Sequence, residues 1–285
     1  MLCAGNAASR DPGLVALQAL DLRLATVGHR LAIANQSQCP RRAPQTGLIL
    51  HSLGQYAPSA RAAMARDFAA SRYPSVQDVV PGSAAANAGL QVGDALLSLN
   101  GVALPSQVGP KPVFTVVDTT ERALDAALTK GTAHLTLQRG RTSLALDLRA
   151  NLGCLSRFQV MPSGRLFADA TGRYVQVSSA IMDAARDEDE LAFVVAHEMA
   201  HNILAHPDRL KAQGRTVAKI RATEIEADEF GLKLMHGAGY DVHAAARFWA
   251  RIGEQMDSGI FRDGSHLSPG KRVVLLRAIA NRIAP

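Results

Sequence analysis

Asp187–Ala205 reads DEDELAFVVAHEMAHNILA. Four carboxylates open the stretch, where the positive end of a helix dipole favours them. Leu191, Val194 and Val195 then supply an apolar stripe, and Pro207 follows the end. Together these features predict a helix over Glu188–Ala205. His197 and His201 stand at i and i+4 on that helix, one turn apart on one face, close enough to grip a single ion. Glu198 lies beside that face, within reach of an attacking water without being a ligand. Two helix-surface histidines with an adjacent glutamate also arise by chance, so the reading turns on a third ligand.

Glu224–Asp228 (EIEAD) supplies a candidate, on a helix expected over Thr216–His236. If Glu224 ligates, Asp228 lies on the same face and can accept the Nδ1–H of a ligating histidine. Glu226 stands about 200° round the helix from Glu224 and is the poorer candidate. His197, His201 and Glu224 then form the three-protein-ligand set of a catalytic Zn2+ site, which keeps a fourth position open. The metzincin pattern would need glycine and histidine where this chain has Leu204 and Pro207. His206 is read as a structural histidine bonding near the helix end. His29, His51, His134, His236 and His243 lack any partner spacing and default to surface or core roles.

At 285 residues the chain has room for two modest domains. Its 47% hydrophobic and 20% charged residues exclude a disordered polymer. The net charge of +6 comes from scattered Lys and Arg, with no basic run interleaved with aromatics. That pattern argues for a solvated surface and against a nucleic-acid partner. No stretch approaches the roughly 20 apolar residues of a membrane span, so a soluble chain is expected. Met1–Ser9 has the small residues of a signal-peptide cleavage region without a basic or apolar segment before it. It reads either as the remnant of an exported precursor or as a short disordered tail.

Gly13–Asn35 is expected to be a helix, with Leu17, Leu20, Leu24, Val27 and Leu31 at spacings of three and four. From about Thr46 to Arg149 the texture changes to short alternating segments and glycine-rich turns. Gln77–Val80 and Ala95–Leu99 read as strands, with an Asn100-Gly101 hairpin turn after the second. Asp118 with Glu121 suggests a capping box for a helix running to Lys130. His134–Gln138 and Ser143–Leu148 alternate around a second hairpin. Beyond Asn151, strand-like Arg157–Val160 and Tyr174–Ser178 precede helices over Ser179–Arg186, Glu188–Ala205, Thr216–His236, Val242–Met256 and Pro269–Ile283. The expected fold class is α+β, helix-rich, with a mostly β insertion.

Val79–Gly101 (VVPGSAAANAGLQVGDALLSLNG) resembles a PDZ domain of the circularly permuted bacterial kind. In such domains a glycine-hydrophobic strand start receives the C-terminal carboxylate of a peptide that adds as a strand. Gly47, Leu48 and Ile49 are the matching residues here. HEMAH followed by EIEAD resembles the HtpX and CaaX-prenyl-protease family (peptidase family M forty-eight, a gluzincin family), in its soluble envelope form. The resemblance divides the chain into a tail (1–12), an N-terminal peptidase helix (13–45), a PDZ domain (46–150) and the metallopeptidase domain (151–285). It also pairs His266 with Arg272, six residues on, as groups over the metal that steady an oxyanion or, for the histidine, occupy the open position. Leu267 replaces the family's usual proline after that histidine, and Arg165-Leu166 replaces its Asn-Ala before the substrate-binding edge strand.

With the PDZ domain inserted, Cys39 and Cys154 flank it, and the closeness of domain termini makes a disulfide between them reasonable. Such a bridge implies an oxidising compartment. Cys3 is left over. The expected function is that of a zinc-dependent endopeptidase, with Glu198 as general base, serving protein quality control in the cell envelope. The PDZ module would recruit, or gate access by, unfolded or C-terminally exposed protein substrates. The alternative is a peptide-binding adaptor or chaperone with a structural or latent zinc site. Periplasmic or secreted placement is expected, cytoplasmic being the alternative, and the sequence does not fix the oligomeric state.

Overall fold

The computed structural model describes residues 10–257 and 267–284; Cys3 and His266 lie outside them. In chain order the first elements are α1 (Pro12–Ala34), β1 (Arg42–Pro44), β2 (Leu48–His51), α2 (Arg61–Phe68), β3 (Ser75–Val79) and α3 (Ala84–Asn87). Then come β4 (Ala95–Leu99), β5 (Val102–Ala103), α4 (Thr115–Thr129), β6 (Ala133–Arg139), β7 (Thr142–Leu148), β8 (Leu152–Cys154) and β9 (Arg157–Met161). The remainder is β10 (Ala168–Ala170), β11 (Tyr174–Ser178), α5 (Ser179–Ala184), α6 (Glu188–Ile203), α7 (His206–Gln213), α8 (Val217–Gly237), α9 (Ala244–Asp257) and α10 (Pro269–Ile283). The class is α+β. Among the described residues no helix is long and apolar enough to cross a membrane.

Two compact units result. One joins Leu48–Arg149 to the described residues up to Ala19; the other joins Leu20–Gly47 to the chain from Ala150 onward. The division falls inside α1, whereas the sequence reading gave the whole helix to the peptidase. Leu14 packs against Met64 and Phe68 of α2, and the Gln18 amide donates to the Gln77 carbonyl at 2.9 Å. Those contacts hold the first turns of α1 in the first unit.

The first unit is built on an antiparallel sheet in the order β2-β3-β4-β6-β7, with β5 paired to β4. Asn100 and Gly101 take φ of +50° and +79°, the left-handed pair that a tight hairpin between β4 and β5 needs. Asp94 is fully buried and accepts both arms of the Arg139 guanidinium at 2.7 Å, as well as the Gln91 amide. The capping box expected at Asp118 does not form. Helix α4 begins three residues earlier, and Asp118 pairs with Arg122 at 2.8 Å, one turn further along. Helix α2 was not foreseen, because its sequence RAAMARDF offers no capping residue and little apolar periodicity.

His51, at the end of β2, is completely buried, with Tyr56 Oη 3.1 Å from Nδ1 and no partner at Nε2. Burial pushes its pKa down to about 4. The unfolded chain therefore takes up a proton between pH 6.5 and 4 that the folded unit refuses. The stability contribution is intact above pH 6.5 and falls as pH drops toward 4, by on the order of 3 kcal/mol. Hydrogen exchange of the β2 and β3 amides, corrected for intrinsic rates, should show this acid loss in the wild type and a flatter profile in His51→Gln.

The second unit has two small sheets and most of the helices. Strand β1 pairs antiparallel with β8, and a disulfide joins Cys39 to Cys154, with Cα atoms 5.4 Å apart. Strands β10, β11 and β9 form the other sheet; β9 and β11 run parallel, and β10 is antiparallel at the edge beside β11. Helix α6 starts where its carboxylates suggested, with the Asp187 side chain accepting the Glu190 amide at 2.8 Å. It is apolar on nearly every side, from Leu191 to Ala196 and again at Met199, Ala200 and Ile203, so it runs through the core. Asn202 on α6 bonds the Tyr174 carbonyl at 3.1 Å and accepts the Gly172 amide at 2.6 Å, which ties the helix to the β11 side of the sheet. Helix α7 and strand β10 were both absent from the sequence reading.

Candidate metal centre

The geometry of the site begins with how α8 meets α6. At the contact stands Gly231, where a side-chain carbon would lie 3.1 Å from the His197 nitrogen. That close approach brings the Glu224 and Asp228 face of α8 against the histidine face of α6. Glu224 Oε2 lies 3.4 Å from His197 Nε2, Glu224 Oε1 lies 3.4 Å from His201 Nε2, and the two Nε2 atoms are 3.2 Å apart. Among the described residues this trio forms the one metal-competent cluster. Lone pairs converging this closely repel unless a cation sits between them. Ligands about 2.0–2.1 Å from a tetrahedral zinc stand about 3.4 Å from each other, so spacing and donor types both fit Zn2+.

Behind His197 stands Asp228. Its Oδ1 accepts the His197 Nδ1–H at 2.9 Å, which leaves Nε2 free for a metal. The Arg272 guanidinium grips the same carboxylate, Nε at 2.9 Å from Oδ2 and Nη2 at 2.6 Å from Oδ1. Arg272 is itself buried, its Cζ over Trp249 at 4.0 Å from the ring centre, with Phe193 at 5.9 Å. Burial works against the Asp228 charge, but Arg272 and His197 outweigh it and hold the carboxyl below its usual range. The resemblance placed Arg272 over the metal as an oxyanion donor. Arg272 lines the same cavity as the metal cup, and its bidentate grip on Asp228 gives that buried carboxylate the buried cation it needs.

For the two histidines, desolvation presses both imidazoles toward neutrality. With no cation in the cup, Asp228 and Glu224 overcome it at His197 and favour a second proton there, the one a metal at Nε2 would displace, while that charge reinforces the depression at His201. Glu198 lies beside His197 and lines the same cavity; desolvation first, then the negative Glu224 and Asp169, push its pKa up to about 7. A carboxylate titrating near neutrality suits both halves of a proton shuttle.

The cavity measures about 290 Å³. One wall is the edge strand β10, and another is apolar, with Phe193, Val194, Phe248 and Trp249. His206, read as a bonding histidine near the helix end, lies in this site: its Nδ1 is 2.9 Å from His201 Nδ1. His266 lies outside the described residues. Gly47 takes φ of +69°, and Leu48 and Ile49 begin β2, whose outer side is the end of the first unit's sheet. Arg165 and Leu166 precede β10, where the Arg165 amide donates to the Ser163 hydroxyl at 3.1 Å.

Comparison with known proteins agrees with both halves of the chain. Residues 158–221 match the profile of Peptidase family M48, and residues 75–109 match that of a PDZ domain. The chain thus carries one segment similar to a family of metallopeptidases and another similar to a PDZ domain. A related protein is the mitochondrial metalloendopeptidase OMA1 of Schizosaccharomyces pombe, 29% identical across 40% of this chain and 40% of that protein. The chain thus spans about two fifths of the length of that relative. Among solved structures, the HtrA3 PDZ domain bound to a phage-derived ligand (FGRWV) covers 39% of this chain and 89% of its own, at 22% identity and a TM-score of 0.29. The family segment ends at 221, so Glu224, Asp228 and Arg272 enter the site through the geometry described above.

Proposed function

We propose that this chain is a zinc-dependent endopeptidase. The observation that carries the reading is the convergence of His197 Nε2, His201 Nε2 and the Glu224 carboxylate, the two nitrogens 3.2 Å apart and each 3.4 Å from one of the carboxylate oxygens, in a cavity that Glu198 also lines. Zinc, when bound, polarises the scissile carbonyl and acidifies the attacking water. The remaining work falls to the chain. Glu198 takes the proton from the water and returns it to the leaving amine. Asp228 fixes the His197 tautomer and Arg272 fixes Asp228. The edge of β10 offers unpaired backbone groups on which an extended substrate can align as an added strand.

The β2 edge of the PDZ unit, entered through Gly47, Leu48 and Ile49, supplies a second place for strand addition and suits unfolded or C-terminally exposed chains. The Cys39–Cys154 disulfide supports an oxidising compartment, periplasmic or secreted, and with it a role in envelope protein quality control. An adaptor with a merely structural zinc would leave Glu198 without a task. Incubation of the zinc-loaded chain with unfolded casein distinguishes the two. An endopeptidase yields internal fragments, whereas an adaptor retains intact casein.

A further inference from the structure

The two histidines of the metal cup are supported differently, and the support of His201 has no counterpart in the roles assigned above. We propose that His206, held in turn by Glu226, is the positioning residue that fixes the ring and tautomer of the metal ligand His201. This inference rests on the metal-site reading of the previous subsection and deepens it.

The proton arithmetic is closed. An imidazole that offers its Nε2 lone pair to a metal carries its hydrogen on Nδ1. His201 Nδ1 faces His206 Nδ1 at 2.9 Å, with the two rings nearly perpendicular at 80°. Two hydrogens cannot meet there, so His206 presents a lone pair at Nδ1 and carries its own hydrogen on Nε2. That Nε2–H points at Glu226 Oε2, 3.2 Å away, and Arg209 Nη1 donates to the same oxygen at 2.9 Å. One chain of bonds, Arg209–Glu226–His206–His201, thereby selects one tautomer at each ring. His206 is fully buried, so both of its nitrogens need partners and both have them.

The backbone is bent to make this contact. On a continuous helix, residues five apart point about 140° away from each other. Ala205 breaks α6 from α7 with φ of +55°, a left-handed conformation that costs an alanine energy and that folds the His206 ring back onto His201. Glu226 occupies the α8 face that the ligand argument rejected, and it is there that His206 meets it.

The test measures zinc affinity of the full-length, metal-stripped chain by competition with a chelating zinc dye, beside apo-protein melting curves. His206→Leu removes the acceptor and should weaken zinc binding about 10- to 100-fold. His206→Asn, which can keep an oxygen facing His201 Nδ1, should recover most of that loss. The d–d spectrum of the cobalt-substituted protein should shift in His206→Leu and return toward wild type in His206→Asn. A change of less than threefold in His206→Leu, with the apo protein folded, overturns the proposal. If His206→Leu does not fold, Glu226→Ala decides: a loss of threefold or more supports the relay and unchanged affinity overturns it. Wild-type protein that fails to bind one zinc would instead refute the metal-site reading.

Discussion

Replacing Glu198 with glutamine is expected to lower kcat/KM for peptide hydrolysis by about 10²- to 10⁴-fold while zinc content stays at one per chain. That range corresponds to about 2.7–5.4 kcal/mol of transition-state stabilisation. Glutamine keeps the size of the side chain and its hydrogen-bonding reach but cannot accept and return a proton. Glu198 is not part of the donor triangle, so its loss leaves metal binding intact. The pH profile provides a second signature. Glu198 must be ionised to act as base, so the wild-type rate has an acid limb, with activity falling as Glu198, whose pKa burial pushes up to about 7 in the metal-free chain, takes up its proton. A bound cation favours the carboxylate and moves the limb lower. The residual rate of Glu198→Gln should lack it. A loss smaller than tenfold with zinc retained would mean that another group carries the proton.

The second large effect is on stability. The Cys39–Cys154 bridge closes a chain separation of 115 residues, for which the chain-entropy model gives about 4–5 kcal/mol. In a unit of this size that amounts to a fall in Tm of about 10–20 °C in the double variant Cys39→Ala/Cys154→Ala. Both sulfurs are buried, so alanine avoids placing unpaired hydroxyls in the core. Trp249, the chain's single tryptophan, lies in the same unit as the bridge and reports its unfolding by fluorescence. Melting within about 3 °C of wild type would show that the bridge constrains little in the unfolded chain. Free thiols at both positions in protein from its native compartment would contradict the bridge itself and the oxidising location inferred from it.

The parts of this architecture that local chemistry writes into the chain were legible in advance. Helix α6 announces itself through Asp187–Glu190, and α8 through the i, i+4 pair Glu224 and Asp228 after a Thr216 cap. The hairpin at Asn100-Gly101 was equally clear, since few residues tolerate its backbone angles. What escaped depended on tertiary contact. Strand β10 is three small or polar residues, too short for alternation to register, yet it forms a wall of the cavity. Pro207 reads as following the end of one helix, yet it sits in the first turn of the next. The pairing of His206 with His201 hinges on Ala205 adopting a conformation that sequence assigns to glycine or asparagine. Arg272 came from the family resemblance that pairs it with His266, but its grip on Asp228 emerges from the packing of α10 near α8 and the Trp249 ring beneath it.

The most direct test of the zinc endopeptidase reading is a titration of zinc into the metal-stripped, full-length chain, with the rate of internal cleavage of unfolded casein as the readout. The account predicts no cleavage without metal, a rise to a plateau at one zinc per chain, and no rise in Glu224→Ala, which lacks one of the three ligands. Cleavage that is independent of added zinc, or a fully loaded wild-type chain that leaves casein intact, would contradict it.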